Sequence, residues 1–258
     1  MPDFLGKLVD DARRRVNAGY YELQESIEHE PKSLKRAIQD AEGNAIIAEI
    51  KPISPSRGPL RPTIDPVEAA AMLTKGGAVA LSVLTEPDNF GGGIGNLCRI
   101  RTSTQVPLLM KDIVIDQRQI YAGKKSGADC ILLITSAFSN NDANSLGYLI
   151  QNSHEMHLEV LLEAHNESEL YRALESEADI IGINNRNLAT LHIDLNTTPK
   201  LLSRVSNRKG KIVITESGLE SASDIRKLRQ AAVNGFLIGS SIMLSSDLES
   251  KVREFVLA

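Results

Sequence analysis

Cysteine is scarce in this chain. Its two occurrences, Cys98 and Cys130, stand far apart with no CxxC or Cys/His spacing, so neither a disulfide framework nor a structural zinc site is expected, and both read as reduced apolar filler. An excess of charge is also missing: the formal net charge is −4 and charged residues are spread along 258 residues. That leaves no basic stripe for a nucleic-acid backbone and no polybasic tract for a membrane surface. Apolar runs are too short to span a bilayer, and the start MPDFLGKLVDDARRR carries charges where a signal peptide needs an apolar core. A soluble, cytoplasmic protein with neither nucleic-acid nor membrane partners is expected.

What is present is a rhythm. Short β-branched or leucine-rich runs begin at Ala45, Ala78, Val106, Asp129, Leu158, Asp179, Lys211 and Gly235, each separated from the next by room for one helix. Eight such runs are what a closed parallel barrel requires, and nearly continuous apolar strands are those covered on both faces. Helix signals fall between them. Asp65, Pro66 and Glu68 combine an N-cap, a first-turn proline and a capping acid, and that helix is expected to stop at Gly76 or Gly77. Asn166 with Glu169 and Ser221 with Asp224 repeat the cap, and Gly127 is placed to end a helix beginning near Asp116. The fold class is therefore α/β, a single (β/α)8 barrel domain spanning 1–258, with residues 1–43 as an extension of one or two helices and 44–258 as the barrel. The ARRR stretch in the extension reads as a solvated face.

In such a barrel the active site lies at the carboxyl ends of the strands. The first strand closes with Glu49 and Lys51, which share one side of a period-2 strand. The third ends in Lys111 and Asp112, the fifth in Glu163, the sixth in Asn184, Asn185 and Arg186, and the seventh in Glu216 and Ser217. Taken singly, each charge reads equally well as a rim ion pair. Five strands of eight ending in such groups after otherwise apolar runs favour a polar pocket, where burial and opposite charge prepare lysines and glutamates to exchange protons.

The last two strands end in small residues. Gly218 and Gly239 let backbone N–H groups approach a ligand, and Ser240 or Ser241 opens a helix whose amino end favours an anion. A side chain at either glycine is expected to stand between those N–H groups and a phosphate. The five histidines form no cluster at the strand ends, and HEMH at His154 lacks the spacing of a zinc site; no metal is expected. The GGGIG run after Phe90 has the wrong spacing for a dinucleotide fingerprint and reads as a flexible loop near the site.

These motifs belong together. IIAEIKPISPSRG, SVLTEPDNFGG, PLLMKDIVID with GADCILLI, EVLLEAHNESEL, IIGINNRNL, and ITESGLES with FLIGSSIM closely resemble the successive strand-end motifs of indole-3-glycerol-phosphate synthases over about residues 44 to 244. The resemblance implies cofactor-free conversion of 1-(2-carboxyphenylamino)-1-deoxyribulose 5-phosphate into indoleglycerol phosphate, with loss of carbon dioxide and water, in tryptophan biosynthesis. By the same resemblance Lys111 is the general acid and Lys51 assists it or contacts the phosphate. Glu163 acts in proton transfer during dehydration, while Glu49 and Asn184 position the lysines and substrate hydroxyls. Arg186 receives the anthranilate carboxylate, and Ser54, Ser217, Gly218, Gly239 and Ser240 contact phosphate or sugar. Glu216 sits among the polar residues of the seventh strand, and Phe90 is a hydrophobic contact. Which lysine gives which proton stays open.

Two positions depart from the pattern, Ile113 where phenylalanine is common and Gly93 where serine is common; the latter is expected to make its loop more mobile. Other sugar-phosphate barrels, such as phosphoribosylanthranilate isomerase or the tryptophan synthase alpha subunit, share the glycine motifs but not the two strand-end lysines with INNR. A noncatalytic phosphate-binding barrel would not need Lys51, Lys111 and Glu163 together. The expected partner is a small sugar phosphate, bound by a monomer or weak homo-oligomer.

Overall fold

A computed structural model describes residues 4–138 and 143–258. Eight parallel strands form a closed barrel: β1 (Ile46–Ile50), β2 (Ala80–Leu84), β3 (Leu108–Lys111), β4 (Cys130–Ile134), β5 (Glu159–Ala164), β6 (Ile180–Asn184), β7 (Ile212–Glu216) and β8 (Gly235–Ile238). Each pairs with its neighbours in sequence, and β1 closes the ring on β8. Helices α1 (Phe4–Asn17) and α2 (Leu34–Gln39) precede the barrel. The crossovers carry α3 (Pro66–Lys75), α4 (Ile94–Arg101), α5 (Gln117–Lys125), α6 (Ala143–Glu155), α7 (Glu167–Glu175), α8 (Thr197–Leu202) and α9 (Ala222–Arg229), and α10 (Ser240–Met243) and α11 (Leu248–Val256) follow β8. Among the described residues no helix is long and apolar enough to cross a membrane.

The strands alternate between two apolar clusters because successive side chains of a strand face opposite ways. Ile46, Ala48 and Ile50 of β1, Val83 of β2 and Ile181 and Ile183 of β6 belong to the cluster under the helices, whereas Ile47, Ala80, Leu109, Leu132, Leu161, Ile180, Ile214 and Leu237 fill the inside. The inward series then changes character toward the carboxyl end. After Ile47 comes Glu49, after Leu109 Lys111, after Leu161 Glu163, and after Ile214 Glu216, all on the same side of their strands. Local punctuation fits the crossovers: Asp65 accepts from the Val67 and Glu68 N–H groups at 2.8 and 3.2 Å, Asn166 accepts from Glu169 N at 3.0 Å, and Ser221 N donates to Asp224 at 2.9 Å. α5 ends at Lys125, two residues before Gly127.

The extension is fastened to both ends of the barrel. At the base, Lys32 N donates to Asp129 just before β4 and Lys35 N to Glu159 at the start of β5, at 2.8 and 2.9 Å. At the mouth, Phe4 and Leu8 of α1 line the cavity above the strand ends. The ARRR stretch corrects its own reading here. Arg13 and Arg14 are exposed, but Arg15 is buried and its Nη1 donates to Glu86 at 2.8 Å and Asp88 at 2.7 Å. Glu86 in turn accepts from Asn89 N and Phe90 N at 2.7 and 3.0 Å, so one guanidinium ties α1 to the turn that carries Phe90.

Removing one partner of a buried pair leaves the other charge uncompensated, which typically costs about 3–5 kcal/mol, whereas an exposed charge is worth roughly 0.5 kcal/mol or less. Arg15→Ala is therefore expected to lower unfolding free energy in urea by about the first amount and Arg13→Ala by about the second. Equal losses would mean that Arg15 is not an anchor.

Candidate active site

The carboxyl ends of the strands surround a cavity of about 1080 Å³, counting its solvent-open mouth. Glu49, Lys51, Lys111, Glu163, Asn184 and Glu216 all line it, with Phe90, Leu132, Ile134 and Leu188 as apolar wall. The structure thus brings together residues from β1, β3, β5, β6 and β7 that sequence separates by up to 167 positions, from Glu49 to Glu216.

Lys111 is the centre of the polar set. Its ammonium donates to Glu216 Oε2 at 2.8 Å and lies 3.4 Å from Glu163 Oε2. Asn184 Nδ2 donates to the other oxygen of Glu163 at 2.9 Å, while Asn184 Oδ1 accepts from Arg186 N at 2.9 Å. Lys51 donates to Glu49 Oε1, whose second oxygen receives Ser82 Oγ at 3.4 Å. Burial works against the charge on Lys111, but Glu216, Glu163 and Glu49 outweigh it and raise its proton affinity, so it is an ammonium. Burial likewise opposes charge on Glu49, yet Lys51 and Lys111 hold its carboxyl below the ordinary range.

Three carboxyls thus face two ammonium groups. Glu216 relieves the surplus: it is buried, its Oε1 has no hydrogen-bond partner, and burial together with Glu163 pushes it up to about 7 despite Lys111. One carboxyl of the set therefore exchanges its proton near neutrality, while that of Glu49 is held ionised. That contrast is what a site needs to give and take protons at a single pH.

The remaining expected residues frame this centre. Ser54, buried, lies on a short ribbon formed by Ile53–Ser54 and Gly58–Pro59, and its hydroxyl is 3.3 Å from that of Ser56. Arg186 lines the cavity and donates to Ser56 Oγ at 2.8 Å, reaching across from the loop after β6 to the loop after β1. Ser217, Gly218, Gly239 and Ser240 line the rim between them, at the ends of β7 and β8, with Gly239 as N-cap of α10. Ser217 has φ +69°, an uncommon conformation for a residue with a side chain. Asn185 holds this turn, donating to the Glu216 and Ser217 carbonyls at 3.1 Å each.

At three places the structure adds a neighbour that the sequence did not show. A Cβ on Gly218 would meet Ile193 at 2.5 Å and Leu195 at 3.0 Å, so it would strike the loop after β6 before it obstructed an anion. A Cβ on Gly239 would lie 2.6 Å from Glu49 Oε1 and 3.1 Å from Lys51 Nζ; that glycine makes room for the ion pair as well as for an approaching ligand. The GGGIG run is packed instead of loose. Gly92 N and Gly93 N donate to the carbonyls of Glu86 and Leu84 at 2.9 and 3.1 Å, and a Cβ on Gly92 would sit 2.3 Å from Leu84 O. Asp112 borders the cavity, but its carboxyl receives Thr85 Oγ1 at 2.7 Å and Tyr21 OH at 3.0 Å, which gives it a bracing role.

The strand-end rule did not find Phe4, Leu8, Leu188, Leu191 and Ile193, all of which line the cavity. They come from the extension and a loop, where an apolar side chain carries no periodic signal.

Comparison with known proteins gives a consistent picture. Residues 6–255 match the family model described as indole-3-glycerol phosphate synthase. An indole-3-glycerol phosphate synthase of Dehalococcoides mccartyi is 39% identical over 254 residues, covering 96% of each chain. That of Carboxydothermus hydrogenoformans is 38% identical over 268 residues, covering 99% of this chain and 100% of its own. Among solved structures, thiamine phosphate pyrophosphorylase from Pyrococcus furiosus superposes with a TM-score of 0.62 at 14% identity, over 86% of this chain and 96% of that one, a likeness of fold alone.

The raised proton affinity of Glu216 has a consequence for stability. Its carboxyl binds a proton more tightly folded, at about 7, than at its ordinary 4.5, so its contribution is fully present below about 4.5 and is lost as pH rises through about 7. Glu216→Gln removes that titration. The thermal midpoint of the variant relative to the parent should rise between about pH 4 and pH 8, the window bracketing both values; a difference independent of pH would refute the raised affinity.

Proposed function

The chain belongs to the indole-3-glycerol phosphate synthase family, and from that premise we propose how its strand-end residues divide the work. The enzyme is a carbon–carbon lyase of tryptophan biosynthesis. It closes the indole ring of 1-(2-carboxyphenylamino)-1-deoxyribulose 5-phosphate, releasing carbon dioxide and water. The ring carbon bearing the carboxylate attacks the ketose carbonyl, whose oxygen takes a proton. Carbon dioxide then departs, and the resulting hydroxyl leaves as water.

Lys111 is the acid that protonates the carbonyl oxygen. The observation that carries this is its position between Glu163 and Glu216: it is charged before substrate arrives, and Glu216, with its raised proton affinity, is placed to return its proton. Glu163, oriented by Asn184, transfers protons in the dehydration. Lys51 lies at the Gly239 side of the site, which favours phosphate contact over direct acid work, and Glu49 fixes its position. Ser54, Ser217, Gly218, Gly239 and Ser240 hold phosphate and sugar oxygens, the last at the amino end of α10, where unpaired N–H groups favour an anion. Arg186 takes the anthranilate carboxylate, for which a planar guanidinium is suited, and Phe90 packs on the aromatic ring.

We also take residues 1–258 as one domain, a reading supported by the buried contact of Arg15 with Glu86. The modest net charge of −4 supports the absence of a nucleic-acid partner, and we take the protein as a cytoplasmic monomer or weak homo-oligomer.

Incubating pure protein with the carboxyphenylamino deoxyribulose phosphate should produce indole fluorescence. Lys111→Met should lower kcat by about 10² to 10⁴, the usual cost of losing a general acid, while inorganic phosphate still binds. Near-normal turnover with substrate in excess would move the acid role to Lys51 or water. Arg186→Ala should weaken the carboxylate-bearing substrate and leave inorganic phosphate unaffected, and equal losses for both ligands would sink the assignment of Arg186.

A further inference from the structure

Gly182 is the inward-facing residue in the middle of β6, level with Glu163 on β5 and Ile214 on β7. Glycine weakens a strand interior, and where it occurs it often marks a close approach. This one is fully inside a regular strand and its φ lies outside the left-handed region that glycine alone favours. Backbone geometry therefore does not call for it. Space does: a Cβ built on Gly182 would lie 2.4 Å from Glu216 Oε1 and 3.3 Å from Leu161 Cδ1.

The atom that occupies this space is unusual. Glu216 Oε1 is buried without any hydrogen-bond partner, while its twin Oε2 receives Lys111 Nζ at 2.8 Å. Buried polar atoms are almost always paired, so an unpaired one next to a reacting group calls for a cause. The side chain starts at the carboxyl end of β7, and its carboxyl reaches back toward the barrel interior until it lies against β6.

We propose that Gly182 is a positioning residue for the ring closure, its missing side chain forming the recess in which the Glu216 carboxyl lies with Oε2 on Lys111 and Oε1 turned away from every donor. The recess fixes where the Lys111 ammonium points, because Glu216 Oε2 is its nearest acceptor and Glu163 the farther one. A methyl group in the recess drives the carboxyl upward into the cavity, where it meets water and pulls Lys111 with it. The catalytic part of this inference rests on Lys111 being the acid; the packing part does not.

The test separates the two parts. Gly182→Ala, Glu216→Ala and the double variant are compared by thermal melting, and the first by steady-state kinetics over pH. Alanine at position 182 should lower the melting temperature of the parent clearly more than that of Glu216→Ala, since the closer atom it collides with is then gone and only the contact with Leu161 Cδ1 remains. Displacements of about 1 Å in such sites cost on the order of 10²-fold in rate, so Gly182→Ala should lower kcat by about 10- to 100-fold with KM little altered. The titration of Glu216 in its pH profile should move to lower pH as the carboxyl reaches water. An equal melting loss in both backgrounds overturns the recess itself. A melting loss larger in the parent background with unchanged kcat and pH profile keeps the recess and overturns its role in positioning Lys111. If Gly182→Ala does not fold, folding of the double variant supports the recess and failure of the double variant overturns it.

Discussion

A lysine ammonium inside the mouth of an apolar barrel can exist only among carboxylates. Lys111 sits between Glu216 and Glu163, and that requirement fixes much else. β3, β5 and β7 must end at the same level with the same side inward, because the three groups arise from separate strands and an ion pair tolerates little error in distance. Glu163 needs Asn184 to hold its second oxygen. Crowding of carboxyls raises the proton affinity of one of them, the buried, half-partnered Glu216. Carboxyls of unequal proton affinity follow from packing like charges in a confined space.

The barrel was largely legible because its signals are local and periodic. Apolar runs one strand long, capped helices between them and a polar residue at the inward end of each run are properties of neighbours in sequence. Lys111, Glu163, Asn184 and Glu216 could be picked out because each interrupts an apolar alternation at its carboxyl end. Arg15 could not. The 3.6-residue period sets it on the face of Leu5, Leu8 and Ala12, but the partners that hold a buried guanidinium there, Glu86 and Asp88, are more than 70 positions away.

The glycines divide along the same line. Sequence marked Gly218 and Gly239 as places of close approach, which they are, but not what approaches. For Gly218 it is the side chains of Ile193 and Leu195, and for Gly239 the Glu49 carboxyl and the Lys51 ammonium. Gly92, taken for slack, has a strand carbonyl in the space its side chain would fill. A glycine reports the absence of a side chain, and only the fold says whether a backbone, a neighbour or a ligand uses the gap.

Gly239 has an implication for how this barrel can change. Its vacant Cβ position touches the Glu49 and Lys51 pair on one side, while its backbone caps α10 on the other. The charged end of β1 and the start of α10 thus share a gap the size of one methyl group, and mutational paths through it are coupled. Position 239 cannot be enlarged while Glu49 and Lys51 stay as they are. Any lineage that fills this gap must first, or simultaneously, rebuild the first strand's charged end.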